Sequence, residues 1–424
     1  MDYRDSNGRP VVAVTGIGVV TSLGAGKAEN WTKLTSGVSG IKRITRFATD
    51  GLRTQIGGAV DFVLEPPFPS AKLSAKLAEL AADEAITQAK IGTPGVFPGP
   101  LFIAVPPVEM EWLEREALAR AVDSPDKVTY ADLWRSGTAG RHADWYPHLM
   151  YGGVAEMTAE RFGTQGSPIS LSTACASGAS AIQLGVEAIR RGETDVALTI
   201  GTDGSIQAEA LIRFSLLSAL STQNDPPERA AKPFSKNRDG FVMAEGGAAL
   251  VLESLDHATK RGAEVIGIVA GCGERADSFH RTRSNPDGKA IVAAIKNALD
   301  DAGIEPDAVD YINAHGTSTP ENDKMEHMAC AAVFGARMPR LPISSNKSMI
   351  GHTLTAAGAV EAVFSLLTIR DQVLPPTINY NVPDPALALD VVPFKARAAK
   401  VSTVMSNSFG FGGQNVALIL AAAP

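Results

Sequence analysis

Short apolar, β-branched runs alternate along this chain with longer stretches whose apolar residues fall three and four positions apart. The first pattern predicts buried strands and the second amphipathic helices. Val11–Thr15 reads as a strand ended by Gly16-Ile-Gly18. A helix near Lys27–Ser36 and an alanine-rich one over Leu73–Lys90 follow, then a strand at Leu101–Val105. Residues 106–149 read as an irregular insertion carrying Trp112, Trp134 and Trp145. A helix over Val154–Phe162 leads to Ile169–Ser172, which suits a buried strand. From Ser177 the period changes, and Ala181, Ile182, Leu184, Gly185, Ala188 and Ile189 share a helical face. Val196–Ile200 is a further strand.

The second half repeats this order. Ile266–Ala270 is a strand ended by Gly271-Cys-Gly273, Ala290–Ala302 an alanine-rich helix, and Val309–Asn313 a strand. Pro342-Ile-Ser-Ser345 echoes Pro168-Ile-Ser170, and a helix over Leu354–Arg370 and a strand at Val416–Leu420 complete the series. The shared order predicts a gene-duplicated α/β fold with halves at residues 1–260 and 261–424, the first carrying the variable insertion at 106–149. In such a fold equivalent strand ends meet at one seam, so a site there draws residues from both halves.

Composition narrows the class. The chain has 424 residues, 45% of them hydrophobic and 20% charged, the profile of a globular protein. A formal net charge of -7 argues against a nucleic-acid partner. No apolar run is long enough to span a bilayer, and the N-terminus has no signal-peptide core. Three separated cysteines, Cys175, Cys272 and Cys330, form no disulfide framework, which fits a cytoplasmic protein. Gly16-Ile-Gly18 lacks the third glycine and the ribose-binding acid of a dinucleotide site.

The candidate chemistry lies at the seam. Cys175 stands where the 169–172 strand hands over to a helix N-terminus, whose unpaired N–H groups and dipole favour a thiolate. The facing turn of the second half, Ser344 to His352, supplies Lys347 and His352, and the strand ending at Asn313 supplies His315. A helix N-terminus at His352 disfavours imidazolium. A Cys/His/His zinc site is the rival, but no ligand spacing such as C-x-x-C supports it, so no metal is expected. The run Gly410-Phe-Gly-Gly413 lets backbone approach a reacting group and aim N–H groups at it; with the Cys175 N–H it could form an oxyanion hole.

Five motifs together resemble the elongating β-ketoacyl-acyl-carrier-protein synthases of the thiolase-like superfamily. They are Thr173-Ala-Cys-Ala-Ser-Gly178, Lys232 to Val242, Asn313-Ala-His-Gly-Thr-Ser-Thr-Pro320, Lys347-Ser-Met-Ile-Gly-His352 and Asn407-Ser-Phe-Gly-Phe-Gly-Gly413. The resemblance implies a layered αβαβα sandwich of two duplicated halves, usually a homodimer, working with acyl carrier protein and without a cofactor. It implies that Cys175 carries the acyl group, with the N–H groups of Cys175 and Phe411 as oxyanion hole and Phe411 as gate. His315 and His352 would hold the enolate left by malonyl decarboxylation. Lys347 would support them, itself held by Asp323 and Glu326, with Thr317 and Thr319 along the pantetheine arm and Gly410, Gly412 and Gly413 shaping the loop. Cys272 and Cys330 match no second thiolase cysteine, and His352 stands where the priming synthases carry asparagine.

Two departures from the family pattern stand out. A glycine-rich turn is usual after the 101–105 strand; here it is Ala104-Val-Pro-Pro-Val-Glu-Met110. Acyl chains that are unusual or very long are therefore expected, with Val108 or Met110 shaping the pocket. Ser218 stands where an arginine often precedes Ala219-Leu-Ser-Thr222, so carrier docking falls to Lys72, Lys76, Arg281 and Arg283. The alternative reading is a non-catalytic subunit that sets chain length for another synthase.

Overall fold

The computed structural model describes residues 3–120 and 128–424. Its first half runs β1 (Val12–Thr21), α1 (Ser70–Ala89), β2 (Leu101–Ala104), α2 (Gly153–Phe162), β3 (Ile169–Leu171), α3 (Ser177–Arg190), β4 (Val196–Asp203) and β5 (Gly246–Ser254). The second half repeats that series as β6 (Gly267–Ala276), α4 (Lys289–Ala302), β7 (Tyr311–Asn313), α5 (Pro320–Phe334), β8 (Pro342–Ser344), α6 (Ala357–Asp371), β9 (Thr403–Phe409) and β10 (Gln414–Ala421). The strand orders match: β1-β5-β4-β2-β3 in one half and β6-β10-β9-β7-β8 in the other. Directions match too. In each half the first two pairings are antiparallel and the last two parallel. Antiparallel pairing of Val12–Val14 in β1 with Gly267–Val269 in β6 joins the halves.

Glycines decide how the layers pack. β1 and β6 run straight on through Gly16-Ile-Gly18 and Gly271-Cys-Gly273, where the sequence reading ended them. A Cβ at Gly16 or Gly18 would stand 2.0 Å from the Ala85 or Ala81 carbonyl oxygen of α1. At Gly271 and Gly273 it would stand 2.3 and 2.2 Å from the Ala298 and Ala294 oxygens of α4. These glycines let the outer helices lie directly on the strands. The inner helices α3 and α6 use the same device on each other: a Cβ on Gly178 would meet Ala359 N at 2.6 Å, and one on Gly358 would meet Ala179 N at 2.5 Å. The inner pair contacts strands of both halves, α1 covers β1 and β5, and α4 covers β6 and β10. This is the thiolase-like αβαβα sandwich.

Two further expectations are corrected. Residues 106–149 are not irregular: helices span Trp112–Arg120 and Tyr130–Thr138, with short turns at Ala143–Trp145 and Tyr146–Leu149. Residues 121–127 of the insertion lie outside the described residues. Thr129 and Asp132 form a reciprocal capping box at the second helix, while Trp112 and Trp134 stay largely exposed, which is why no buried apolar face announced these helices. The Ile169–Leu171 strand is also not buried. It is the terminal strand of the sheet, pairs only with β2, and leaves Ile169 47% exposed.

Candidate active site

The turn into α3 is held by its own side chains. Ser177 Oγ accepts the Thr173 N–H at 2.7 Å, and Ala174 between them adopts φ +50°, a left-handed conformation costly for a residue with a Cβ. Cys175 therefore stands at a strained elbow, just before the Ala176 cap of α3. A Cβ on Gly410 would come within 2.9 Å of Thr173 O and 3.2 Å of Cys175 N, so only glycine brings this loop so close to the elbow. The Phe411 backbone N–H then hydrogen-bonds the thiol. Gly412 and Gly413 take φ +85° and +87°, and Gly412 N donates to Arg281 O at 2.8 Å, which anchors the loop. Against the expectation of a thiolate, burial pushes the Cys175 thiol up to about 11, outweighing the Phe411 N–H and Lys347, which pull it down.

His315 follows β7 and His352 follows the short helix Lys347–Ile350; both are almost fully buried. The Cys175 sulfur and one nitrogen from each ring lie within 4.8 Å of one another. Leu354 N–H donates to His352 Nδ1 at 3.2 Å, so that ring carries its proton on Nε2. His315 Nδ1 faces Lys347 Nζ at 3.5 Å, which fixes the same tautomer. Burial first, then the Lys347 charge, holds both imidazoles well below their ordinary range, and both are neutral at pH 7. At His352 it is burial, not a helix dipole, that does this; α6 begins only at Ala357, after a turn at Leu354–Ala356.

The same tautomers test the zinc alternative. With Nδ1 engaged and Nε2 protonated, neither ring offers a cation a free lone pair, and an ammonium lies beside them. The residues do not fit a metal.

Lys347 is not held by Asp323 and Glu326. Its Nζ donates to the His315 carbonyl at 2.7 Å and to Glu361, a carboxylate on α6 that the sequence reading missed. Glu361 is the only ionisable residue among the thirteen buried positions of that helix, and an acid so placed is the signal that could have found it. Glu326 instead accepts the His315 and Gly316 N–H groups, each at 2.8 Å, and Asn407 Nδ2 at 3.1 Å. Asp323 accepts Phe234 N at 2.8 Å and Ser318 N at 3.2 Å, tying the Lys232–Val242 motif to the histidine loop. Neither acid is hydrogen-bonded to the lysine, although the Glu326 carboxyl still feels the Lys347 charge.

Two cavities meet at the cysteine. One of ≈ 60 Å³ opens past Phe411, Thr317 and Thr319 to Arg283; Thr317 and Thr319 hydrogen-bond each other at 2.9 Å, and Thr319 caps α5. The other, ≈ 430 Å³, lies behind Cys175 and Phe411 against Pro106, Pro107, Phe214 and Leu217. Phe411 borders both. Arg281 and Arg283 are exposed beside the first cavity. Lys72 and Lys76 are not brought there; they border a separate surface cavity with Leu64 and His148. Met110 lines neither cavity, and Val108 borders a narrow one beyond Pro107.

A buried thiol under the Phe411 backbone N–H, facing two Nε2–H imidazoles at the seam of a duplicated sandwich, defines a thiolase-like acyl-transferring enzyme. The family model for the N-terminal domain of β-ketoacyl synthases matches residues 9–91 and 115–258, and that for the C-terminal domain matches 266–381. The chain belongs to the β-ketoacyl synthase family. It is 38% identical over 422 residues to 3-oxoacyl-[acyl-carrier-protein] synthase 2 of Coxiella burnetii, covering 96% of this chain and 98% of that one. It is 36% identical to the ketoacyl synthase alpha subunit of the tetracenomycin polyketide synthase of Streptomyces glaucescens, covering 97% and 96%. Among solved structures, a type II polyketide ketosynthase in complex with its acyl-carrier protein and bound to a hexaketide superimposes with TM-score 0.87 at 33% identity, covering 98% of this chain and all of that one. The ishigamide ketosynthase/chain length factor does so with TM-score 0.83 at 32% identity, again over 98% and 100%.

Proposed function

We propose that the protein is a β-ketoacyl-acyl-carrier-protein synthase in which Cys175, His315, His352 and Lys347 perform a decarboxylative Claisen condensation. The observation that carries this reading is the pair of neutral, Nε2-protonated imidazoles beside the cysteine. Such a pair donates hydrogen bonds to a developing oxyanion but is poorly placed to take a proton, which suits a carbanion made by losing CO2.

In the first half-reaction Cys175 Sγ attacks the acyl thioester, the N–H groups of Cys175 and Phe411 stabilise the tetrahedral oxyanion, and the carrier's pantetheine thiol leaves with the cysteine's proton. Malonyl carrier then enters past Thr317 and Thr319. Its C–CO2 bond breaks, and His315 and His352 hold the thioester enolate. The enolate carbon attacks the acyl group on Cys175, the C–S bond breaks, and the thiolate takes one proton. CO2 and a β-ketoacyl carrier are the products. Each oxyanion donor contributes roughly 3–4 kcal/mol in the transition state. Incubation with acyl-loaded carrier should add the acyl mass to the Cys175 peptide, and malonyl-loaded carrier should then remove it as a β-ketoacyl product. An unmodified Cys175 would sink the reading.

The exposed edge of β3 and the exposed aromatics of the insertion support a homodimer in which a second copy covers them. We read the halves as residues 1–260 and 261–424 on the repeated strand order, and place the enzyme in the cytoplasm, as the absence of a disulfide pattern suggests. Arg281 and Arg283 are the docking residues nearest the cavity mouth, and the carrier is acidic. Reversing both charges should raise the carrier KM several-fold through the lost steering, while iodoacetamide alkylation of Cys175 stays at the wild-type rate. An unchanged KM removes them from the docking surface.

A further inference from the structure

The ≈ 430 Å³ cavity behind Cys175 shares Pro106, Pro107, Glu109, Ser205 and Ala210 with a second, narrower one of ≈ 30 Å³. The first is walled largely by apolar side chains. The second is not: Glu111, Glu114, Gln207 and His148 border it, and among its described wall residues there is no lysine or arginine. Glu109, the acid on the shared wall, is already paired with Arg213.

Glu111 is only 7% exposed. Its Oε1 accepts the Ser70 N–H at 2.6 Å, but its Oε2 has no partner. Gln207 Nε2, Glu209 Oε1 and His148 Nδ1 are likewise buried without partners. Glu114 offers no relief, since its carboxylate caps the Glu111 N–H at 2.9 Å and adds a second negative charge. Burial pushes the Glu111 carboxyl up to about 7, against the pull of the Ser70 hydroxyl and N–H and with the Glu114 and Glu209 charges adding to it. Buried polar groups normally find partners, and a buried carboxylate oxygen left without one keeps its full desolvation penalty. Three of these orphans, on Glu111, Gln207 and His148, border one end of a cavity, with the Glu209 charge acting on Glu111 from beyond its wall, and such a cluster makes a site that something else completes. Nothing in the condensation chemistry uses them. They lie beside the 92–114 stretch that the family model leaves unmatched.

We propose that the two cavities form one acyl channel, and that the protein takes acyl chains whose distal end carries an ammonium group, held by Glu111 with Glu114 and Glu209 behind it. This deepens the ketosynthase reading and rests on it. The apolar first cavity takes the methylenes, and the second has room for a small polar head but little more. Acceptors outnumber donors there and the local charge is negative, so a cation fits better than a neutral hydroxyl, and a methyl end would leave the orphans desolvated and unpaired.

The test uses pantetheine thioesters in matched pairs of equal length, one ending in methyl and one in a primary amine, with an ω-hydroxyl series beside them. Intact mass reports the rate at which each loads Cys175 in the wild-type protein. At the length that reaches Glu111, the ω-amino chain should load at least tenfold faster than its methyl partner, and the ratio should collapse in Glu111→Gln and Glu111→Leu. Methyl chains loading as fast as or faster than their ω-amino partners at every length overturn the proposal and leave the ketosynthase reading standing; the cluster then holds water only. An ω-hydroxyl preference equal to the amine's overturns the cationic assignment. If no thioester loads Cys175, the ketosynthase reading itself fails.

Discussion

Cys175→Ala should eliminate condensation, lowering turnover by about 10⁴-fold or more, the scale on which loss of a covalent nucleophile is felt. The substitution removes one sulfur from an elbow whose geometry depends on other atoms: Ser177 Oγ holds Thr173, and Gly410 packs against the backbone. The fold should therefore survive with a stability loss of only about 1–2 kcal/mol. The histidine pair stays in place, so decarboxylation of malonyl carrier, followed as CO2 release, should continue in the variant while no β-ketoacyl product forms. That split separates the two readings of the family likeness. A chain-length-setting subunit would support a partner synthase equally well with or without the Cys175 sulfur, and condensation that persists in such a complex would overturn the catalytic assignment.

The duplication was legible because it rests on periodicity and on glycines, both local properties of the chain. The glycine pairs at 16/18 and 271/273 were visible, but as strand ends; only the distance to the helix carbonyls shows that they thin the strand for a neighbouring layer. Cys175, His315 and His352 could be placed together because the repeat brings equivalent strand ends to one seam. What holds Lys347 was not legible. Asp323 and Glu326 stand just after the His315 motif, farther from Lys347 in sequence than Glu361, which reaches it from an inner helix fourteen residues on, a contact that only the packing of α6 creates. The thiol's state was misjudged for a related reason: a helix start is local and favours the anion, while burial is a property of the whole seam and wins. The polar end of the second cavity joins residues 111, 114, 148 and 207, which no single element brings together.

Breaking the Lys347–Glu361 pair from the carboxylate side should be the most destabilising change at the site. Both side chains are essentially without solvent contact, at 2% and 1% exposure, so Glu361→Leu strands an ammonium in the core and should cost about 3–5 kcal/mol. Lys347→Met should cost less at neutral pH, because the remaining group can shed its charge by taking up a proton. Burial already pushes the Glu361 carboxyl up to about 7, with Lys347 pulling it back, and losing the lysine moves it further up. The sign of the pH effect follows: a carboxyl whose folded value lies above its unfolded one favours the fold at acid pH and loses that contribution as pH rises through the folded value. Lys347→Met should therefore unfold more readily at pH 8 than at pH 6. The double variant Lys347→Met/Glu361→Leu should recover most of the stability lost in Glu361→Leu, since no buried charge is left unpaired. It should not recover activity, because the Lys347 charge that helps keep His315 neutral and fixes its tautomer is gone. Denaturant midpoints at the two pH values, with malonyl decarboxylation rates for all four proteins, check both claims. If Glu361→Leu is as stable as wild type, or the double variant is fully active, the pair is not what positions and polarises the histidine.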